Sequence, residues 1–224
     1  MSKSVAILGG SGAEGGGLAL RFAAAGYKVI IGSRDAAKAQ DAATRIVERV
    51  PNASVHGADN QSAASAADIV VLTVPFAAQR ATLESVKPQL QGKILVDVTV
   101  PLVPPKVSQV QLPPEHSAAL GAQELLGAGV KVVSAFQNVS AHQLEHLGAP
   151  VDCDVLVCGD DKDAREAVVR LARESGMVAW HGGALANSVA AEALTSVLIF
   201  MNRRYKVPGT GIRITGLDGA AEHG

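Results

Sequence analysis

The chain contains 224 residues, of which 48% are hydrophobic and 18% are charged, and its formal net charge is −1. This length accommodates one domain, or one domain and a small second unit, and the apolar fraction excludes an intrinsically disordered chain. Only 3% of the residues are aromatic. No nucleic-acid binding is expected, because the chain lacks both the positive charge that attracts phosphates and the rings on which bases stack.

Short apolar runs alternate with alanine-rich helical patterns along the first 100 residues. The apolar runs predict buried strands at 5–8, 27–31, 69–74 and 94–98, with a shorter strand at 53–56. Helices are predicted over 18–25, from Asp35 to about Val50, and over 62–67, and Gly26 and Pro51 follow the first two as helix-ending residues. This alternation predicts a parallel sheet covered by helices and connected by right-handed crossovers.

The chain after residue 98 predicts a loop and then further elements of the same sheet. Five of the ten prolines lie between Pro101 and Pro114, which we interpret as an ordered loop over the carboxyl edge of the sheet. Strands are expected at 130–134 and 154–158, and helices at 161–175 and 184–203. The predicted fold class is therefore α/β, a Rossmann-type doubly wound parallel sheet with a small helical C-terminal extension.

A glycine-rich turn directly follows the first strand and opens the first helix, with the sequence Gly10-Ser11-Gly12-Ala13-Glu14-Gly15. In this G-x-G-x-x-G pattern the first glycine permits the tight turn, the second lets the backbone approach a pyrophosphate, and the third lets helix and strand pack closely. The turn predicts a dinucleotide site, with the alternative that the glycines serve packing alone. Glu14 is unexpected here, because a carboxylate beside a pyrophosphate weakens binding unless its side chain points to solvent.

The end of the second strand indicates which nicotinamide nucleotide is bound. Enzymes that use NAD place an Asp or Glu at this point to bind the ribose hydroxyls, whereas here Ser33 and Arg34 precede Asp35, and Lys38 lies one turn into the next helix. Ser33 can donate to a 2′-phosphate, Arg34 can pair with it and stack on adenine, and Lys38 adds a positive charge. These residues predict NADP. The alternatives are a solvated helix start, or Asp35 as a ribose ligand, although Asp35 is better placed to cap the helix.

Other candidate residues do not form a recognisable catalytic or metal site. His142-Gln143-Leu144-Glu145-His146 matches the H-x-x-E-H zinc motif, but we interpret the segment as a solvent-facing helix and predict no metal. His181 is interpreted as a turn residue. Cys153 and Cys158 are expected to be buried thiols on opposite faces of a strand, which favours a cytoplasmic location.

The last predicted helix carries a stripe of polar residues with a single charge, formed by Asn187, Ser188, Glu192, Thr195 and Ser196. An ordinary solvent face would carry more charge. The stripe therefore indicates either the wall of a ligand cavity or tertiary contacts that include buried water. The same residues make this segment a poor membrane span, and no membrane association is expected.

Several segments together carry a resemblance to one family, namely Gly9-Gly10-Ser11-Gly12, Gly32-Ser33-Arg34 with Lys38, Val157-Cys158-Gly159-Asp160-Asp161 and Leu185-Ala186-Asn187-Ser188. They resemble the reductases that couple NADP to the deazaflavin coenzyme F420. The resemblance extends from about Val5 to Ile214. It implies hydride transfer between nicotinamide C4 and deazaflavin C5 in an enzyme that is usually a homodimer and acts on small-molecule substrates.

The resemblance also implies how the chain is divided. An NADP-binding Rossmann domain would comprise residues 1–135, and a small lobe over 136–224 would complete the second-substrate site and form the dimer interface. The residues implied to bind NADP are Ser11, Gly12, Ala13, Ser33, Arg34 and Lys38, with Val74 and Pro75 beside the nicotinamide and Val139, Asn187 and Ser188 near the deazaflavin. No catalytic acid or base is implied for the hydride step, because both reacting rings belong to the coenzymes.

The chain also departs from the family pattern at three places. Gln137-Asn138 stands where the family commonly has His-Thr, and residues 104–106 and Glu14 differ as well. These departures leave open that a flavin or another small acceptor replaces the deazaflavin. A separate alternative is that the protein is a non-catalytic sensor of NADP.

Overall fold

The computed structural model describes residues 4–217. The predicted domain 1–135 and the predicted lobe 136–224 also include residues 1–3 and 218–224, which lie outside the described residues. The described chain begins with six elements and continues with eleven more. The elements to residue 65 are β1 (Ser4–Leu8), α1 (Ala13–Ala24), β2 (Lys28–Ser33), α2 (Ala36–Arg49), β3 (Val55–Asp59) and α3 (Asn60–Ser65). Those that follow are β4 (Ile69–Leu72), α4 (Phe76–Leu90), β5 (Ile94–Asp97), α5 (Ala118–Leu126), β6 (Lys131–Ser134), α6 (Ala141–Leu144), β7 (Val155–Gly159), α7 (Lys162–Glu174), β8 (Ala179–Gly183), a 3-10 turn (Leu185–Asn187) and α8 (Ser188–Tyr205).

All eight strands form one sheet in the order β3-β2-β1-β4-β5-β6-β7-β8. Strands β1 to β6 are mutually parallel, β7 runs antiparallel to β6, and β8 runs parallel to β7. The carboxyl ends of the six parallel strands therefore lie at one edge, called here the carboxyl edge. The strand order reverses between β1 and β4, and ligands of doubly wound sheets bind outside the carboxyl ends at such a point.

Two apolar layers, one on each face of the sheet, hold the helices in place. Successive residues of a strand point to opposite faces, so Ile7 of β1 packs with Phe22 in one layer and Leu8 packs with Leu72 and Leu83 in the other. This is why the inner strands are uninterrupted apolar runs: both of their faces are covered. The fold class predicted from the sequence is confirmed, with a reversal of direction at β7.

Individual elements differ from their predicted bounds by a few residues. The short helix α3 begins and ends two residues before the predicted range, and the long helix α8 begins at Ser188 after the 3-10 turn. The sequence analysis did not predict β8, and His181 lies within that strand, so its interpretation as a turn residue was wrong. Cys153 precedes β7 whereas Cys158 lies on it, so the two thiols do not share a strand.

A buried arginine ties the first helix to a segment far along the chain. Arg21 of α1 is only 5% exposed, and its guanidinium donates to four backbone carbonyls, those of Gln143, Leu144, His146 and Ala149, at 2.9 to 3.1 Å. These carbonyls belong to α6 and the turn that follows it. The segment after β6 is therefore fixed against the helix that opens the glycine-rich turn.

By length and composition, the segment Leu185–Tyr205 is the one part of residues 4–217 that is apolar enough to cross a membrane. A third of its most apolar window is buried inside the protein. Its one carboxylate, Glu192, is 1% exposed and accepts hydrogen bonds from backbone groups of α5.

Candidate functional site

The glycine-rich turn lies at the carboxyl edge between β1 and α1. At Gly15, a Cβ atom would stand 2.8 Å from both the Cα of Gly10 and the carbonyl oxygen of Gly9, and closer still to the Thr73 hydroxyl. Only glycine therefore allows α1 to start so close to the ends of β1 and β4. Residues 11–13 are exposed, and no side chain of the N-cap residue Gly12 caps the helix. The first backbone N–H groups of a helix have no partner within it, so the start of α1 is suited to an anion.

A cavity of about 260 Å³ adjoins this turn, and its wall includes the guanidinium-bearing residues Arg45 and Arg49 of α2. The two arginines are four residues apart and so lie on one face of the helix. Their charges add to the positive end of the α1 dipole. The sequence analysis did not identify these two arginines. Their four-residue spacing indicates a shared helix face, but the sequence does not show that this face of α2 lies beside the glycine-rich turn.

Glu14 is half-buried, and one of its carboxyl oxygens is turned inward. Its Oε1 atom is buried and has no hydrogen-bond partner among residues 4–217. Burial raises the pKa of this carboxyl to about 8, so the group is mostly neutral at pH 7. A protonated Glu14 does not repel a pyrophosphate, so the half-buried side chain is compatible with a pyrophosphate at this turn.

The residues predicted to recognise a 2′-phosphate lie together at the end of β2. Ser33 ends the strand, and Arg34 and Lys38 are exposed. Asp35 caps α2, because its Oδ1 accepts from the backbone N–H groups of Ala37 at 3.0 Å and Lys38 at 3.3 Å. Within residues 4–217 neither Arg34 nor Lys38 forms an ion pair. Both cations thus remain available for an anion.

The centre of the carboxyl edge contains a buried carboxylate that the sequence analysis missed. Asp97 ends β5 and is 0% exposed, and it accepts from the Gln79 side-chain amide at 2.5 Å and from the Thr99 backbone N–H at 2.9 Å. Burial raises its pKa to about 6, although these hydrogen bonds act in the opposite direction. Val74 and Pro75, predicted to lie beside the nicotinamide, follow the neighbouring strand β4.

The polar stripe of α8 is used mainly for contacts within the protein. The Glu192 carboxylate accepts from the backbone N–H groups of Ala118 at 2.6 Å and Ala119 at 3.1 Å, at the N-terminus of α5. Burial is the main cause that raises the pKa of Glu192 to about 8, and the charge of Asp97 makes a smaller contribution in the same direction. Ser188 is 0% exposed and donates to the Ser117 hydroxyl at 2.8 Å. Of the two interpretations of the stripe, tertiary contact accounts for these residues.

The residues expected near the deazaflavin are not brought together by the described chain. Val139 is buried in the segment after β6, at the carboxyl edge. Asn187 lies at the start of α8, where its amide donates to the Gly182 carbonyl at 2.7 Å. Thr195 contacts the Gln137 carbonyl, and eight residues separate it from Asn187, about 12 Å along a helix. Asn187 thus lies well away from the part of α8 that reaches the carboxyl edge.

In the described part of the chain, no three His, Cys, Asp or Glu side chains are grouped as metal ligands. The rings of His142 and His146 contact each other with centroids 4.7 Å apart. The Nδ1 of His146 lies 2.7 Å from the carbonyl oxygen of His142.

Comparison with known proteins identifies close relatives. A family model described as NADP oxidoreductase coenzyme F420-dependent matches residues 4–101. F420-dependent NADP reductase from Methanothermobacter thermautotrophicus is 44% identical over 97% of this chain and 97% of its own. The enzyme of the same name from Methanocaldococcus jannaschii is 44% identical over 96% of this chain and 99% of its own. A crystal structure from Arthrobacter sp. FB24, described as a candidate F420-dependent NADP reductase, superimposes with a TM-score of 0.81 at 27% identity and covers 96% of this chain and 100% of its own.

Proposed function

This chain belongs to the family of F420-dependent NADP reductases, and we propose that its glycine-rich turn and the end of β2 hold NADP at the carboxyl edge. The protein is an NADP-dependent oxidoreductase that transfers hydride between NADP(H) and coenzyme F420. The site assignment depends on the side chains of Arg34 and Lys38, which are exposed, form no ion pair with the described residues and lie beside Ser33 at the end of β2. The adjacent strand β1 leads into the N-terminus of α1, which no N-cap side chain covers.

The residues proposed for NADP fit a dinucleotide with an extra phosphate. Residues 10–15 would cradle the pyrophosphate, and Ser33, Arg34 and Lys38 would hold the 2′-phosphate. Val74 and Pro75 would bound the nicotinamide. Of the three residues expected near the deazaflavin, Val139 at the carboxyl edge is the one we propose as a contact, because Asn187 lies well away from that edge and Ser188 is buried against Ser117. We also propose that residues 1–135 form the NADP-binding part of the chain and that residues 136–224 complete the site for the second substrate.

Hydride transfer in this site depends on orientation. When bound, the two coenzymes supply the donor carbon and the acceptor carbon. The chain would hold the two rings close together and exclude water, which would convert a bimolecular encounter into a step between positioned atoms. No protein acid or base is required at the carbon that gives or receives the hydride. The glycine-rich turn and the residues after β4 would fix the position of the nicotinamide.

We expect purified protein to bleach the deazaflavin absorbance when it is given NADPH and F420 under anaerobic conditions. NADH should support much slower reduction, because it lacks the phosphate that Ser33, Arg34 and Lys38 recognise. A parallel panel with FMN and a quinone tests the less favoured acceptors. Nucleotide binding without turnover of any acceptor would instead support a sensor.

We also propose that the protein forms a homodimer through α8. The second half of this helix exposes a group of large apolar side chains, Val197, Phe200, Met201 and Tyr205. Exposed apolar groups of this kind mark association surfaces.

We expect Phe200→Glu to shift the sedimentation coefficient from that of a dimer to that of a monomer. Val178→Glu, at an exposed apolar residue outside α8, is the matched control and should remain dimeric; a dimeric Phe200→Glu variant would place the interface elsewhere.

The remaining proposals concern location and partners. We propose a cytoplasmic enzyme that acts on small molecules and binds neither nucleic acid nor membrane. Both cysteines are free and buried, and burial raises the pKa of the Cys158 thiol to about 11, so neither is primed for oxidation. This suits a reducing compartment.

A further inference from the structure

The Gln137 side chain lies at the carboxyl edge in an orientation set by its neighbours. Its Nε2 atom donates to the Asp97 carbonyl at 2.7 Å and to the Ser134 hydroxyl at 2.8 Å. A flipped amide would set its oxygen against the Asp97 carbonyl, which cannot donate, so the hydrogen-bond pattern fixes which end is nitrogen. The oxygen end therefore points away from β5 and β6.

That oxygen has no donor. Gln137 is 6% exposed, and its Oε1 atom is buried without a hydrogen-bond partner among residues 4–217. An unpaired buried carbonyl costs about 1–3 kcal/mol, and such groups are rare in native proteins unless something else supplies the donor.

The backbone around Gln137 is held in place on both sides. Phe136 has a φ of 74°, in the left-handed region that costs energy for a non-glycine residue, and its ring is buried against Phe22. The Thr195 hydroxyl donates to the Gln137 carbonyl at 2.9 Å, and the Asn138 amide donates to the Ala191 carbonyl at 2.8 Å. A strained and pinned segment that presents one unsatisfied acceptor is typical of a ligand site rather than of a core.

We propose that Gln137 is a specificity-determining residue whose side-chain oxygen accepts a hydrogen bond from an amide-type N–H on the reacting-ring end of a bound coenzyme. This inference rests on the proposed placement of the coenzymes at the carboxyl edge. Both coenzymes offer such a donor, namely the carboxamide NH₂ of nicotinamide and the ring N–H of the deazaflavin pyrimidine. The two sources share one chemistry, and ligand analogues distinguish them.

The test measures dissociation constants for ligands with and without the donor. An NADP analogue with an acetyl group in place of the carboxamide, and a deazaflavin methylated at the pyrimidine N–H, are each compared with the natural ligand by fluorescence titration. One lost hydrogen bond corresponds to about 3- to 10-fold weaker binding. We expect wild-type protein to show this loss for one analogue, and the analogue affected identifies the partner of Gln137.

Gln137→Met removes the acceptor while keeping the side-chain length. We expect this variant to bind the natural ligand and the affected analogue equally well, and Gln61→Met, the same change at an exposed residue of α3, to behave as wild type. The wild-type comparison stands even if Gln137→Met does not fold. Wild-type protein that binds both analogues as tightly as the natural coenzymes overturns the inference; if it also still reduces F420 with NADPH, the assigned activity is unaffected.

Discussion

We expect Glu14→Gln to remove a large pH dependence of the folding free energy. Burial raises the pKa of Glu14 from 4.5 to about 8. Below pH 4.5 the carboxyl is protonated in both the folded and the unfolded chain. Between pH 4.5 and 8 only the unfolded chain ionises, so stability falls by about 1.4 kcal/mol per pH unit. Above pH 8 the loss, about 5 kcal/mol in all, is complete.

Denaturant unfolding from pH 5 to pH 9 measures this effect as the difference between wild type and Glu14→Gln. The difference is necessary because Glu192 and Asp97 also have raised pKa values and contribute to both proteins. Glu48→Gln, at an exposed carboxylate of α2, is the control and should follow wild type. Parallel curves of unfolding free energy against pH for wild type and Glu14→Gln would show that Glu14 is ionised in the folded state.

We also expect the affinity for NADPH to fall above pH 8 in wild type and to stay level in Glu14→Gln.

The second large effect is expected at Arg34. Replacing it with alanine should weaken NADPH binding by about 1.5–3 kcal/mol, roughly 10- to 150-fold in the dissociation constant, because a charge-assisted bond to the 2′-phosphate is lost. NADH lacks that phosphate, so its affinity should change little.

Titration of both nucleotides against Arg34→Ala and wild type separates recognition of the phosphate from general damage to the site. Arg170→Ala removes a guanidinium from another exposed arginine, on α7, and should leave both affinities unchanged. An equal loss for NADPH and NADH would contradict the assignment of Arg34 to the 2′-phosphate.

Most of the sheet could be predicted because its inner strands are covered on both faces. The runs that became β1, β2, β4 and β5 are nearly pure aliphatic segments, and burial alone explains that composition. β8 lies at the edge of the sheet, where one side is open, and its sequence contains His181 and two glycines. Its pattern therefore matches a turn as well as a strand.

The glycine-rich turn and the cap at Asp35 could be predicted because they depend on neighbours in sequence. Asp97 and Glu192 could not, because their burial and raised pKa values depend on partners contributed by distant helices such as α4 and α5. Glu14 illustrates the same limit: its sequence position correctly marks it as unusual, whereas its protonation follows from which way its side chain turns.

The contact between Arg21 and the turn after α6 has a consequence for biosynthesis. The four carbonyls that satisfy Arg21 lie 122 to 128 residues farther along the chain, so they leave the ribosome long after α1 does. Until then, the guanidinium lacks all four acceptors, and the segment that packs over it is absent, so this face of α1 stays in water. The anchor between α1 and the segment after β6 therefore forms only after about two thirds of the polypeptide has been translated.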